Sequence, residues 1–178
     1  LKIIMYKAIR YIGFKHKILD FVENMLFSLI PENGSFFERF SGTGIISQYL
    51  TETRKDLEIS GGDLSGYADV LYSIMNARHL GIKPQDIIDF VSTLSVENNE
   101  GKGVFFNEFS DGGVPQTYKE SRLFFHEKAG KTIDIYREKL KEKIRDNEIS
   151  EEQSKVFLFL LMVYACKMEN TTSVFGVY

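Results

Sequence analysis

Several common protein classes are closed to this chain by what it lacks. It has one cysteine, Cys166, so no disulfide framework is possible and a reducing compartment fits. Its longest apolar run, VFLFLLMVYAC (156–166), is too short to span a bilayer and suits a buried helix better. No small-residue cleavage site of a secretory signal is found near residue 1. Together these points predict a soluble, intracellular, cytoplasmic protein. There is no excess of basic charge either. The formal net charge is −3, which gives no electrostatic signature of nucleic-acid binding but leaves room for a local basic stripe. The three histidines, His16, His79 and His126, stand apart from acids or cysteines at ligand spacing, so no metal site is expected. The phosphate-cradling pattern G-x-x-x-x-G-K-[ST] is absent as well.

What remains is ordinary globular material: 178 residues, 43% hydrophobic and 26% charged, enough for a domain with its own core. Apolar residues at Ile18, Phe21, Val22, Met25, Leu26, Leu29 and Ile30 follow helical spacing and predict an amphipathic helix over 16–30, closed by Pro31. SFFERF (35–40) reads as a strand, 44–54 as a helix, LEISGGD (57–63) as a second strand and 66–80 as a helix. That alternation favours a parallel sheet with covering helices. Pro84 opens a helix over 84–95. Residues 97–118, with NNEGKG and SDGGVPQ, read as loop. A long polar helix is expected over 119–146, with a break near Gly130. Ser150 and Gln153 form a capping box that opens a buried helix over 151–169.

Two glycine turns frame the first strand. RYIGFKHKIL (10–19) precedes it and FERFSGTGIIS (37–47) contains its end. Gly42 and Gly44 let the backbone bend with no side chain in the way, and the helix that follows favours electronegative atoms at its start. Asp63 lies nineteen residues beyond Gly44, at the end of the next strand, where a carboxylate can accept both hydroxyls of a ribose. The pair points to a nucleoside-containing ligand in a βαβ unit. The plainer alternative is a tight turn at Gly42 and Gly44 with Asp63 capping the next helix. Ser47 stands where a dinucleotide fingerprint needs its third glycine, which leaves a ligand without a pyrophosphate to cradle. S-adenosylmethionine is the candidate.

RYIGFKHKIL, FERFSGTGIIS and GDLSGYADVLYSIMN together resemble the opening of the Dam-type (D12 class) adenine-N6 DNA methyltransferases. The resemblance implies a partial Rossmann-like α/β S-adenosylmethionine-dependent methyltransferase fold with a helical insertion. It makes residues 1–80 the cofactor-binding part and 81–178 a mostly helical segment concerned with target recognition. It assigns Tyr11, Gly13 and Lys15 to one cofactor-contacting segment and Phe40, Gly42 and Gly44 to the other, with Asp63 as the ribose acid. Lys15 would meet the methionyl carboxylate through a charge-assisted bond, or else is a solvated surface lysine. NTTSVFG (170–176) is similar to a stretch near the target base, so Asn170, Thr171 and Ser173 are candidates for DNA phosphate or base-edge contacts. Their alternative is a polar helix end turned by Gly176. The basic residues of DIYREKLKEKIRDNE (134–148) read first as a solvated helix face and second as a DNA-backbone contact. Phenylalanines near 105–109 and 124–125 read as core before base contacts, and Cys166 as a packed thiol.

The family's D-P-P-[YFW] tetrapeptide holds and stacks on the flipped base. None of Pro31, Pro84 and Pro115 follows an Asp or another Pro, so that tetrapeptide is missing from these residues. The expectation is therefore a fragment, or one chain of a split restriction–modification enzyme, inactive alone. It would act on double-stranded DNA and associate with a second chain or a second copy that completes the sheet. The other reading is a non-catalytic remnant that binds nucleic acid or a partner.

Overall fold

The computed structural model describes residues 19–26, 29–75, 77–94, 103–117, 119–120 and 122–170. The chain divides into two compact units, Leu1–Asn76 and Ala77–Tyr178.

In the first unit, α1 (Leu19–Leu26) is followed by β1 (Ser35–Arg39), α2 (Ile45–Thr53), β2 (Glu58–Gly62) and α3 (Gly66–Met75). The helix predicted over 16–30 stops earlier at its C-terminal side, because Leu29 and Ile30 lie in a turn ahead of Pro31. Its first three residues fall outside the described ones. The strands pair in parallel, from Ser35 opposite Glu58 to Arg39 opposite Gly62. Their entrances are tied together. Arg54 forms an ion pair with Asp56 at 2.7 Å, and Asp56 also accepts the Asn33 N–H at 3.1 Å. The Arg54 guanidinium holds the Asp56 carboxyl well below its ordinary range. α2 buries Ile45 and Leu50, and α3 buries Ala68 and Leu71. The Tyr49 hydroxyl donates to the Glu23 carboxylate and links α2 to α1; that bond, with burial, pushes the phenol up to about 12. The described residues thus form a mixed α/β fold around a two-stranded parallel sheet.

The helix expected over 66–80 ends at Met75 in the structure. Residues 77–82 instead make a separate turn. Its Ile82 N–H bonds the Ala77 carbonyl and its Gly81 N–H the Arg78 carbonyl, around Gly81 at φ +75°. This is the Schellman pairing that a left-handed glycine permits.

The second unit holds α4 (Pro84–Ser92), α5 (Val104–Phe109), α6 (Glu127–Arg145) and α7 (Glu151–Met168). Pro84 opens α4 as predicted, and Asp86 accepts the Lys83 N–H at 2.7 Å. The Ser150–Gln153 capping box is present at the start of α7. α5 corrects the loop expected over 97–118. Asp134 of α6 accepts the Phe105 and Phe106 N–H groups at 3.1 and 2.7 Å, capping from a distance a helix too short to hold itself. α6 corrects the helix expected from 119. Residues 122–126 are not helical: the Phe124 N–H turns back onto the Arg122 carbonyl, the Phe125 N–H bonds the Phe109 carbonyl and the Asn170 N–H bonds the Phe124 carbonyl. Gly130 does not interrupt α6. It lies against Ser110, and a Cβ there would overlap the Ser110 hydroxyl, so the glycine permits α5 and α6 to approach.

The core of this unit joins Phe90, Phe125, Ala129, Ile133, Tyr136, Leu140, Phe157 and Leu161. Phe90 meets Tyr136 and Phe157 edge-on, with ring centres 4.8 and 5.1 Å away. Tyr136 donates to the Phe157 carbonyl at 2.8 Å, and burial pushes its phenol up. Among the described residues, no helix is long and apolar enough to cross a membrane.

Candidate functional site

The carboxyl ends of both strands of the first unit border one cleft, β2 through its end and the turn beyond it and β1 through Ser41. β1 runs into Phe40-Ser41-Gly42-Thr43-Gly44 and β2 into Asp63-Leu64-Ser65. These loops follow the carboxyl ends of parallel strands, the edge at which open α/β sheets receive ligands. The cleft measures about 580 Å³ and is lined by Ser41, the Gly61–Gly66 turn, Ala68, Asp69 and Tyr72.

Gly42 and Gly44 take left-handed conformations, at φ +55° and +65°. Phe40 shares that region at φ +54°, which is rare for a bulky residue, and its ring is 75% exposed. Three successive alternate residues thus turn the chain sharply away from β1. The Gly44 N–H closes the turn onto the Ser41 carbonyl at 2.8 Å, and the Ser41 N–H extends the sheet to the Gly62 carbonyl at 3.2 Å.

Asp63 clasps this turn. Its Oδ2 accepts the Gly42 N–H at 2.8 Å, and its Oδ1 accepts the N–H of Ser65, the residue just before α3, at 2.9 Å. Asp63 therefore both caps the approach to α3 and reaches the glycine turn. Its side chain is exposed in the cleft. A carboxylate offers roughly four lone-pair positions, so these two bonds do not by themselves use up its accepting capacity. Of the residues chosen from sequence, Gly42 and Asp63 are brought together by a direct bond. Gly44 stands behind the cleft wall against Tyr72, and Phe40 faces solvent at the start of the turn. Tyr11, Gly13 and Lys15 lie outside the described residues, as do Thr171 and Ser173. Asn170 is described in the second unit, where its backbone N–H bonds the Phe124 carbonyl at 2.6 Å.

Beneath the turn is a polar group that the sequence reading did not single out. Glu38 is only 6% exposed. Its Oε2 accepts the Ser47 N–H at 3.0 Å and the Ser47 hydroxyl at 2.6 Å. Ser47 is the third residue of α2, and Gly44 has no side chain with which to cap that helix. Glu38 supplies the missing cap and places a carboxylate at the positive end of the helix. The Tyr72 hydroxyl joins the group, donating to Ser47 Oγ at 2.8 Å and lying 3.4 Å from Glu38 Oε2. The available signal was the pleat. Period-two alternation puts Glu38 on the same face as Phe36, and an acid on an inward face needs partners.

The basic residues of 134–148 are engaged locally. Lys139, Lys141, Lys143 and Arg145 pair with Glu142, Glu138, Glu148 and Asp146, and Arg137 stacks over the Phe105 ring. This is the solvated face expected first of that helix. Cys166 is half-buried on α7, next to Tyr164 and Ala165, which pack against the core.

The chain is thus a mixed α/β protein whose candidate ligand cleft lies at the carboxyl ends of two parallel strands. It belongs to the D12 class N6 adenine-specific DNA methyltransferase family, whose model matches residues 11–178. It is similar to the type II methyltransferase M.NlaIII of Neisseria lactamica, 24% identical over 176 residues, which covers 94% of this chain. The chain spans about half of that relative, 48% of its length. No solved structure matches it.

Proposed function

We propose that this chain carries the S-adenosylmethionine-binding part of a restriction–modification DNA adenine-N6 methyltransferase with a Rossmann-like core. The observation that carries the reading is the bond from the Gly42 N–H to Asp63, which ties a bare glycine turn to a carboxylate that lines the cleft. Family membership supplies the chemistry: D12 class enzymes methylate adenine N6 in DNA. S-adenosylmethionine would provide the methyl group. The groups present suit it. Asp63 can accept the ribose hydroxyls, and the left-handed turn at Gly42 leaves open space where a Cβ would stand, so the cofactor can lie against bare backbone. Phe40 and Gly44 hold the turn. Tyr11, Gly13 and Lys15 would close over the methionyl end, with Lys15 meeting the carboxylate. Asn170, Thr171 and Ser173 would face double-stranded DNA.

Base extrusion and methyl transfer need the D-P-P-[YFW] tetrapeptide, which these 178 residues lack. The 178-residue chain therefore holds the cofactor half of the site, and a second chain or a further segment supplies the other half together with more strands. Titration of the chain with S-adenosylmethionine by calorimetry tests the reading. Binding is expected, and Asp63→Ala should abolish it with the far-UV circular dichroism unchanged. Asp63→Asn, which keeps one acceptor oxygen, should bind weakly. Equal affinity in all three proteins would overturn the assignment.

A further inference from the structure

We propose that Tyr72 is a positioning residue for the glycine turn, a strut from α3 that fixes the turn's shape through Ser47. Three observations on two different elements converge on it. Its hydroxyl donates to Ser47 Oγ at 2.8 Å, and Ser47 in turn donates both its hydroxyl and its N–H to Glu38 Oε2. Its ring lies against Gly44, where a Cβ would stand 3.1 Å from the ring edge. It also covers Gly61 of β2, where a Cβ would overlap the phenol itself. One side chain thus spans from the second strand to the head of α2, and the glycines at 44 and 61 are the notch that receives it. Burial pushes its phenol up, so the hydroxyl remains a donor throughout the physiological range.

The consequence is mechanical. α2 begins at the turn, and its third residue is held to Glu38 Oε2 by two bonds, one from the Ser47 N–H and one from the Ser47 hydroxyl. Tyr72 orients it. Without the hydroxyl, Ser47 Oγ loses its donor and the first turn of α2 loosens, which carries the Gly42 N–H away from Asp63. The ligand's identity, S-adenosylmethionine, rests on the function proposed above; the coupling of Tyr72 to the turn does not.

Tyr72→Phe keeps the ring in its notch and removes only the hydroxyl. In the ligand-free 178-residue chain, hydrogen exchange read by NMR should show the Gly42, Gly44 and Ser47 amides exchanging roughly tenfold faster, as expected for one lost net hydrogen bond. Amides of α7, in the other unit, serve as the control and should not change. The dissociation constant for S-adenosylmethionine should rise roughly tenfold, and the effect should be non-additive with Ser47→Ala in a double-mutant cycle. Tyr72→Leu, which empties the notch, should do more on both readouts. Unchanged exchange at the turn would overturn the proposal. Faster exchange with unchanged affinity, in a chain that binds the cofactor, would also overturn it by making Tyr72 a packing residue. If the wild-type chain binds no S-adenosylmethionine while exchange accelerates as described, the strut stands and the cofactor reading falls.

Discussion

Alanine at Gly42 and alanine at Gly44 should have unequal costs, although both glycines have nearly the same backbone angles. Left-handed backbone penalises an L side chain by about 1–2 kcal/mol. The change from glycine to alanine returns about 0.4–1 kcal/mol by restricting the unfolded chain. At Gly42 nothing lies within 4 Å of the added Cβ, so the balance is the whole effect, about 1 kcal/mol of destabilisation. At Gly44 the methyl meets the Tyr72 ring at 3.1 and 3.3 Å. Crowding of that kind adds roughly 1 kcal/mol or more, for a total of about 2 kcal/mol. With a urea slope of about 2 kcal/mol per molar, the unfolding midpoint should fall by about 0.5 M for Gly42→Ala and about 1 M for Gly44→Ala. Measured against Tyr72→Leu alone, adding Gly44→Ala should cost only about 1 kcal/mol, because the ring edge that the methyl meets is gone. Urea titrations of the five proteins, followed by circular dichroism, decide the matter. Equal shifts, or a larger shift at Gly42, would refute the geometric argument.

Asp134 should lower stability as pH rises. Burial lifts its carboxyl above the ordinary range, so the folded state holds that proton more tightly than the unfolded chain. Its contribution is therefore full below the unfolded value of about 3.9 and is lost as pH climbs through the raised folded value. Asp134→Asn should flatten that part of a midpoint-versus-pH curve, while Asp134→Ala should also release α5 and destabilise the second unit at every pH. The purified 178-residue chain should transfer no tritiated methyl group from S-adenosylmethionine to DNA, and measurable incorporation above a no-enzyme control would show that the tetrapeptide is dispensable.

Some elements could be read directly because the residues that make them are neighbours in sequence. The Ser150–Gln153 box and Pro84 act within one helical turn, and they appear where the pattern put them. β1, α2, β2 and the start of α3 follow the same rule, since their apolar periodicity is local and Gly42 and Gly44 mark the turn from β1 into α2. The bond between Gly42 and Asp63 joins two residues that the spacing of strand ends had already assigned to one site. Where the expectation failed, the deciding partner was distant. α5 is held by Asp134, nearly thirty residues on, so no local signal marked it as a helix. Residues 122–126 carry no proline or glycine to stop α6 from running backwards, yet backbone bonds to Phe109 and from Asn170 hold them out of the helix.

The amino-acid sequence by itself determined the alternation of helix and strand in the first unit, the capped start of α7, the glycine turn and the acid placed to meet it. Each depends on periodicity, on a pairing within one helical turn or on a residue's own backbone freedom, which a linear string displays. Only the tertiary structure decided that Gly130 is a close-approach glycine and not a break, that a buried Glu38 caps α2 in place of the side chain Gly44 lacks, and that Tyr72 fills the space left by Gly44 and Gly61. Such roles are set by which atoms from separate elements come within van der Waals or hydrogen-bonding distance, and that is a property of packing that no window along the chain contains.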